Sequence, residues 1–289
     1  MDQAESLRKI VVNASFQPDV LRAERHAKTV AVISGKGGVG KSNFVLNFAL
    51  NLTRTHGDNV LLIDCDIGMG NIDLLLGQPY EKKSIVDLLK RRDKIENVIK
   101  NGPLSLHYLS GGISLSEVVT VDEEEFRFFL NELERMVEKY DVIFFDMGAG
   151  ISNESLKFLL AVDEIIVITT PEPTSIMDAY SAIKLVHQFN KEKNIKLVVN
   201  RYQKKREVEE TYEKIKNTSE RFLQKAIELL GCLPEDDHVK KAVMEQIPFI
   251  LRYPNAPVSK AINSATNIFL NGTMKKRSFI DSLRSLFLK

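Results

Sequence analysis

The residues best suited to chemistry in this 289-residue chain form a glycine-rich segment at positions 35–42. The segment reads G-K-G-G-V-G-K-S, follows an apolar run at 29–34 and precedes a helical pattern at 41–55. Backbone N–H groups at such a turn bind phosphate when no Cβ atoms crowd them, as at Gly35, Gly37, Gly38 and Gly40. Lys41 is suited to β- and γ-phosphates, and the Ser42 hydroxyl to Mg²⁺. The segment therefore predicts a nucleoside triphosphate site.

Carboxylates follow two other apolar runs of the sequence. The run at 59–64 ends in Asp64, and Asp66 lies two residues later. The run at 142–146 ends in Asp146. The carboxyl ends of parallel strands share one edge of a sheet, where ligands bind in open α/β folds. We predict that Asp146 holds Mg²⁺ through its water shell. Asp73 is expected to be a helix-start or surface carboxylate.

Apolar runs rich in β-branched residues alternate with stretches of helical period, which indicates an α/β fold with a doubly wound, mostly parallel sheet flanked by helices. Strands are predicted at 29–34, 59–64, 142–146, 164–169 and 196–200, with a weaker one at 106–110. Helices are predicted at 41–55, 84–91, 122–139, 155–161, 176–190, 206–230 and 257–272. We place this domain at 26–272, between an N-terminal extension at 1–25 and a C-terminal segment at 273–289.

Composition limits the functions that the chain can have. Forty basic and 39 acidic side chains leave a formal net charge of +1, so the whole chain has no field to attract nucleic acid or lipid. The two cysteines, Cys65 and Cys232, have no zinc or redox spacing and are expected to be core thiols. The N-terminus lacks a signal-peptide core, and no apolar run is long enough to span a bilayer. A cytoplasmic location is expected.

Lys36 adds a second lysine to the glycine-rich segment, and K-G-G-V-G-K-S resembles the deviant Walker A motif of the MinD/ParA superfamily of P-loop ATPases. The resemblance implies a slow, Mg²⁺-dependent ATP hydrolase that forms a homodimer around ATP, with Lys36 reaching the nucleotide of the partner subunit. It also implies that Val39 and Asn43 bind nucleotide, and that Asp66 orients the attacking water and helps to hold Mg²⁺. A solvated surface lysine is the alternative interpretation of Lys36 alone.

Two segments resemble the parts of this superfamily that recognise the base. The run at 196–199 ends in Asn200-Arg201, where an amide side chain can donate to and accept from adenine. Pro234 and Glu235, in G-C-L-P-E-D-D, resemble the loop that closes over the base. A turn-forming asparagine at a strand end is the alternative for Asn200.

The C-terminal sequence K-K-R-S-F-I-D-S-L-R-S-L-F-L-K has apolar residues at the spacing of one helix face. They are Phe279, Ile280, Leu283, Leu286 and Phe287. With flanking lysines and arginines, this segment resembles the membrane-targeting helix of MinD-type ATPases, which binds an anionic membrane reversibly on its cytoplasmic face. A helix packed on the core is the alternative.

The N-terminal sequence D-Q-A-E-S-L-R resembles a motif of the FlhG (FleN or YlxH) family of flagellar-number regulators. The resemblance implies that Gln3, Leu7 and Arg8 bind and stimulate the GTPase FlhF, and it allows contacts with flagellar basal-body or C-ring proteins. A disordered tail is the alternative for these residues.

Three other functions stay open at this stage. They are a MinD-like division-site ATPase, a ParA-like DNA-partition ATPase and a nucleotide-binding scaffold without turnover. The basic run at 204–206 is followed by glutamates, which indicates a solvated helix face and no specific nucleic acid binding. An iron-sulfur carrier needs paired cysteines, which the sequence lacks.

Overall fold

A central β-sheet organises the chain in the computed structural model, which describes residues 27–67, 70–79, 83–112, 122–151, 153–271 and 279–287. Eight strands of these residues lie in the order β3-β4-β2-β5-β1-β6-β7-β8. Their bounds are β1 Lys28–Ser34, β2 Val60–Cys65, β3 Lys100–Asn101, β4 His107–Leu109, β5 Val142–Met147, β6 Glu164–Thr169, β7 Asn194–Tyr202 and β8 Glu228–Pro234. Only the short β3 pairs antiparallel within the described sheet. The predicted fold class is confirmed.

Helices cover both faces of this sheet. Their bounds are α1 Lys41–His56, α2 Ile72–Leu75, α3 Ile85–Leu89, α4 Ile95–Val98, α5 Glu123–Val137, α6 Asn153–Ala161, α7 Pro173–Phe189, α8 Lys205–Leu223, α9 Asp237–Glu245, α10 Phe249–Arg252, α11 Pro257–Leu270 and α12 Phe279–Phe287. Alternate residues of β1 serve two separate cores: Val30 and Val32 pack with α1 and α11, while Ala31 and Ile33 pack on the other face with α5 to α7. Both faces of the central strands are buried, as a parallel sheet requires.

The predicted helix at 206–230 is wrong in its last seven residues. Helix α8 ends at Leu223, and Gln224 adopts a left-handed conformation (φ 52°) that caps it. The chain then enters β8, which pairs with β7 at the edge of the sheet. Leu229 and Leu230 suit a helix and a strand equally by period, so contact with β7 decides the outcome. Pro234, predicted in a loop, ends this strand.

Helix α12 lies on the protein core, against α5 and α6. Phe279, Ile280 and Leu283 are buried, while Leu286 and Phe287 are partly buried. The ring of Phe287 stacks on that of Phe126 with a centroid distance of 4.2 Å. The structure therefore agrees with the alternative prediction, a C-terminal helix packed on the core. In this state the apolar face of α12 is not available to lipid. In the described part of the chain, no helix is long and apolar enough to cross a bilayer.

Asp73, expected at a helix start or on the surface, lies in the first turn of α2 but is buried. Its carboxylate accepts hydrogen bonds from Tyr108 Oη at 2.9 Å, from Ser110 Oγ, and from Lys100 Nζ at 3.0 Å. The lysine is also buried, so the ion pair is shielded from water on both sides. This carboxylate fastens α2 to β3 and β4, beside the loop that follows Asp66.

Removing the Asp73 carboxylate is predicted to destabilise the fold strongly. Asp73→Ala leaves the Lys100 ammonium buried without its partner, and a broken buried pair typically costs about 3 kcal/mol or more. Urea denaturation followed by circular dichroism measures the loss. Glu124→Ala, which removes an exposed partner of Arg91, is the control and should change stability by no more than about 0.5 kcal/mol. Equal effects of the two substitutions would contradict the structural role of Asp73.

Candidate functional site

The glycine-rich segment joins β1 to α1 at the carboxyl edge of the sheet. Gly38 and Gly40 have φ angles of 77° and 91°, a region that favours glycine, and Gly40 is the N-cap of α1. A Cβ atom at position 40 would lie 2.5 Å from Asn200 Nδ2. That amide donates a 2.7 Å hydrogen bond to the Val39 carbonyl oxygen. The tight turn is therefore shaped against the end of β7, with its N–H groups beside the α1 N-terminus, where an anion is favoured.

Lys41 and Asp146 form a buried ion pair at the centre of the site. Lys41 Nζ donates to Asp146 Oδ1, and the two side chains are 8% and 0% exposed. The second oxygen, Asp146 Oδ2, is also buried and has no hydrogen-bond partner among the described residues. Because an unpaired buried oxygen is costly, it indicates a site built for a further cationic or polar group. Ser42, the next residue on α1, is half-buried beside this pair.

Asp64 is buried at the end of β2 and organises the loop that follows. Its Oδ1 accepts the N–H of Asp66 at 3.0 Å, and its Oδ2 accepts those of Asn71 at 2.9 Å and Ile72 at 3.3 Å. Burial, and secondly the charge of Asp146, raise the pKa of Asp64 to about 7, although these backbone donors oppose the rise. Asp64 is thus a structural residue that directs the backbone at Asp66.

Asp66 is half-buried between the loops that follow β2 and β5. Burial raises its pKa, the Lys41 ammonium acts against that rise, and the charge of Asp146 adds to it. A Cβ atom at Gly148 would lie 3.3 Å from Asp66 Oδ1, so the loop after β5 closely approaches this carboxylate. The arrangement brings the predicted residues Lys41, Asp66 and Asp146 together around one space.

Lys36 points across the mouth of the loop to the N-terminus of α7. Its Nζ lies 2.5 Å from Glu172 Oε2 and 3.2 Å from Thr174 Oγ1. The lysine lowers the pKa of the exposed Glu172 by hydrogen bonding and by its charge. Glu172 and Thr174 were not among the predicted site residues, although P-E-P-T soon after a predicted strand marks a helix start at this edge.

A cavity of about 390 Å³ opens beside the glycine-rich loop. Gly38, Gly40, Asn200 and Arg201 line one side, with Pro234, Glu235 and helix α9 on the other. Arg201, at a left-handed φ of 61°, donates from Nε to Glu235 Oε2 at 2.7 Å. The four residues predicted near the base therefore meet here, but Arg201 and Glu235 bind each other. The wall formed by α9 was not predicted; its residues are Val239, Lys240, Val243 and Met244.

The other predicted groups lie elsewhere. Gln3, Leu7 and Arg8 are outside the described residues, so their role stays a prediction. The apolar residues of α12 pack against α5 and α6, away from the cavity. Cys65 and Cys232 are free thiols, partly buried, on β2 and β8. These strands are five places apart in the sheet, or roughly 24 Å at ~4.8 Å per strand, too far for one metal ion.

The donors at the centre of the site fit Mg²⁺ held with a nucleotide. In the residues described, no three His, Cys, Asp or Glu side chains converge closely enough to chelate a metal by themselves. Mg²⁺ commonly takes only one or two protein ligands and completes its shell with water and phosphate oxygens. The Ser42 hydroxyl and the unpaired Asp146 Oδ2 suit such binding, and Asp66 can act through water.

Comparisons with known proteins agree with this geometry. A family model described as "ParA: NUBPL iron-transfer P-loop NTPase" matches residues 25–269. The chain is 30% identical to "Antiactivator FleN" of Pseudomonas aeruginosa over 237 residues, which cover 82% of this chain and 84% of that protein. It is also 30% identical to "Flagellum site-determining protein YlxH" of Helicobacter pylori over 259 residues, or 85% and 83% of the two chains. The resemblance found in the sequence is thereby confirmed.

A solved structure shares the architecture. The MinC:MinD cell division protein complex of Aquifex aeolicus matches with a TM-score of 0.70 and 28% identity, covering 87% of this chain and 99% of that one. The chain is thus similar over most of its length to a cell division protein, while one of the two relatives named above is described as a flagellum site-determining protein.

Gly40→Ala is predicted to abolish tight nucleotide binding. Its Cβ would overlap Asn200 Nδ2 and oppose the left-handed φ, so the loop must move; the affinity should fall at least about tenfold, from a disturbance of ~1.4 kcal/mol or more. Fluorescence titration with a labelled ATP analogue measures this. Gly57→Ala is a matched control, because its φ is 69° but no atom lies within 4 Å of the added Cβ. Similar losses in both variants would contradict the explanation.

Proposed function

Because the chain belongs to the ParA family of P-loop NTPases, in the MinD/ParA superfamily, and is an ATP hydrolase, we propose that it is an ATP-dependent switch controlling flagellar number and placement. It binds ATP with Mg²⁺, forms a homodimer, associates reversibly with the cytoplasmic face of the membrane and stimulates an FlhF-type GTPase. The main support is helix α12, whose apolar face packs against α6. Helix α6 begins just after the loop that approaches Asp66.

The residues of the site divide the work of hydrolysis. Backbone N–H groups of residues 35–42 bind the phosphates, and Lys41 leaves Asp146 to neutralise the β- and γ-phosphates. Ser42, together with Asp146 and Asp66 through water, would hold Mg²⁺, which would neutralise charge on the phosphate oxygens. Asp66 orients the attacking water, and Asp64 keeps the Asp66 backbone in place. Asn200 and the end of β8 at Pro234 lie beside the base.

Lys36 is the residue that makes the site depend on a second subunit. In the structure it is held within its own chain by Glu172 and Thr174. Both partners are at the exposed N-terminus of α7, so the lysine can change partners without opening the core. We assign to the dimer a state in which Lys36 leaves Glu172 and contacts the nucleotide of the partner subunit.

Helix α12 is the element through which ATP controls membrane binding. The face of α12 that packs on the protein contains the five apolar residues expected to enter the membrane interface. Arg284, at the edge of the docked helix, is held by Glu134 Oε2 at 2.8 Å. A change in α6 on nucleotide binding would loosen this contact surface, and two released helices in a dimer would bind lipid with avidity.

The flagellar pathway is favoured by the relatives and by the N-terminal motif. Gln3 and Arg8 are the residues that would help an FlhF-type GTPase, since such help comes from orienting water or neutralising charge. Contacts with basal-body or C-ring proteins belong to the same proposal. A MinD-like division role or a ParA-like role is the alternative. Arg206, in the basic run at the start of α8, is paired with Glu210 at 2.7 Å, which does not favour DNA binding.

The dimer proposal predicts opposite effects of two substitutions. Lys36→Ala should prevent ATP-dependent dimerisation but leave nucleotide affinity within about threefold, whereas Glu172→Gln should free Lys36 and strengthen the dimer about threefold. Light scattering with a non-hydrolysable ATP analogue and Mg²⁺ measures both. Glu192→Gln, an exposed change beyond the C-terminal end of α7, is the control. A weaker dimer in Glu172→Gln would show that this carboxylate serves the dimer instead of restraining Lys36.

The membrane proposal predicts that a chain ending at residue 271 loses ATP-dependent sedimentation with phosphatidylglycerol vesicles but still binds nucleotide. Glu134→Ala, which removes the partner of Arg284 without altering α12, should raise vesicle binding in ADP about twofold. Glu138→Ala changes an exposed acid next to the end of α5 and serves as its control. Unchanged sedimentation of the truncated chain would mean that α12 is only a core helix.

The partner proposal is tested with a peptide of residues 1–25. It should accelerate GTP hydrolysis by an FlhF-type GTPase, and a peptide with Gln3→Ala and Arg8→Ala should not. If neither peptide has an effect, the flagellar assignment fails while the ATPase assignment stands.

A further inference from the structure

We propose that Asp236 is the positioning residue of the cavity beside the glycine-rich loop, holding its two helical walls in place for the nucleotide base. Asp236 lies between β8 and α9. Its Oδ1 accepts the N–H of His238 at 3.0 Å and faces His238 Nδ1 at 2.7 Å, while its Oδ2 accepts the N–H of Val258 at 3.2 Å. Only 8% of its side chain is exposed.

These hydrogen bonds join three elements at one carboxylate. Asp236 follows β8, is the N-cap of α9 and binds the first turn of α11. The first N–H groups of a helix have no partner within it, and a negative charge is favoured there, so one carboxylate satisfies both helices. Val239 and Val243 of α9 and Val258 of α11 line the cavity. The distance between these walls is therefore set by Asp236.

The charged form of Asp236 is the one that fits these contacts. Burial acts to raise its pKa, but the hydrogen bonds from His238 and Val258 outweigh burial and hold the pKa below its usual value. On the other side of the cavity, the ion pair of Arg201 with Glu235 is much more exposed, at 47% and 27%. An ion pair so exposed to solvent contributes little to holding the two sides of the cavity together. Asp236 is thus the stronger of the two restraints on this loop.

The phosphates and the base occupy different parts of the site, which allows a specific test. Residues 37–42 bind phosphate, whereas Asp236 supports only the walls at the base end. Loss of the Asp236 contacts should weaken ATP without weakening inorganic tripolyphosphate, and should spare turnover at saturation. A general structural defect would weaken both ligands.

Two substitutions in the full chain distinguish the role of Asp236 as N-cap of α9 from its hydrogen bond to Val258 of α11. Asp236→Ser keeps a good N-cap for α9 but is too short to reach Val258, and Asp236→Asn keeps the shape but places an amide where a second acceptor is needed. Both should raise the Kd for ATP about 5- to 20-fold, with tripolyphosphate affinity and kcat within about twofold of wild type. Asp237→Ser removes the neighbouring exposed carboxylate and should leave all three quantities unchanged.

The inference rests on the base lying in this cavity, as proposed above, and wild-type binding tests that separately. If ATP binds wild type no more tightly than tripolyphosphate, the base position is wrong. If ATP binds more tightly but the folded serine and asparagine variants match wild type, Asp236 has no positioning role. A fall in kcat with unchanged Kd would also overturn the inference, because it would assign Asp236 to the chemical step.

Discussion

The buried pair of Lys41 and Asp146 is the constraint around which the site is built. Two charges withdrawn from water stabilise a fold only with good geometry and further hydrogen bonds, so both backbones must be fixed closely. The pair joins the first residue of α1 to the end of β5 and thereby holds the glycine-rich loop over the sheet. It also leaves one oxygen of Asp146 without a hydrogen-bond partner in the described part of the chain. When phosphate oxygens bind Lys41, the Asp146 carboxylate would lose the lysine as its partner and become free to bind a metal ion.

The sequence predicted the centre of this fold better than its edges. Residues 35–42, Asp66 and Asp146 could be found because each follows a buried run whose period identifies a strand, and parallel strands end at one edge. Strand β8 and helix α9 could not, because the end of α8 depends on a left-handed Gln224 and on pairing with β7. Asp73 lies at a helix start as predicted, but its burial could not be predicted, for a similar reason. Its partners are 27 to 37 residues away, and no local pattern reports them.

The Asp66 site and the surface of α5 and α6 that α12 covers meet at one short helix, α6. The loop after β5 packs Gly148 against Asp66 and leads directly into α6. Farther along α6, the ring of Phe158 contacts the rings of Phe279 and Phe287 of α12. Sequence position alone would separate the loop from α12 by about 130 residues, whereas the fold separates them by one helix. A displacement of α6 would therefore be felt in both places.

If α12 enters the membrane as proposed, the surface of α5 and α6 that it covers in this structure would compete with lipid for the same helix face. Phe279, Ile280 and Leu283 can be buried in protein or in a bilayer, but not in both at once. The apparent lipid affinity is then the intrinsic affinity multiplied by the fraction of undocked helix. A substitution on α5 or α6 that improves packing against α12 would then lower the apparent lipid affinity by the factor by which it lowers the undocked fraction. Evolution could adjust membrane residence time by changing residues that never contact a membrane.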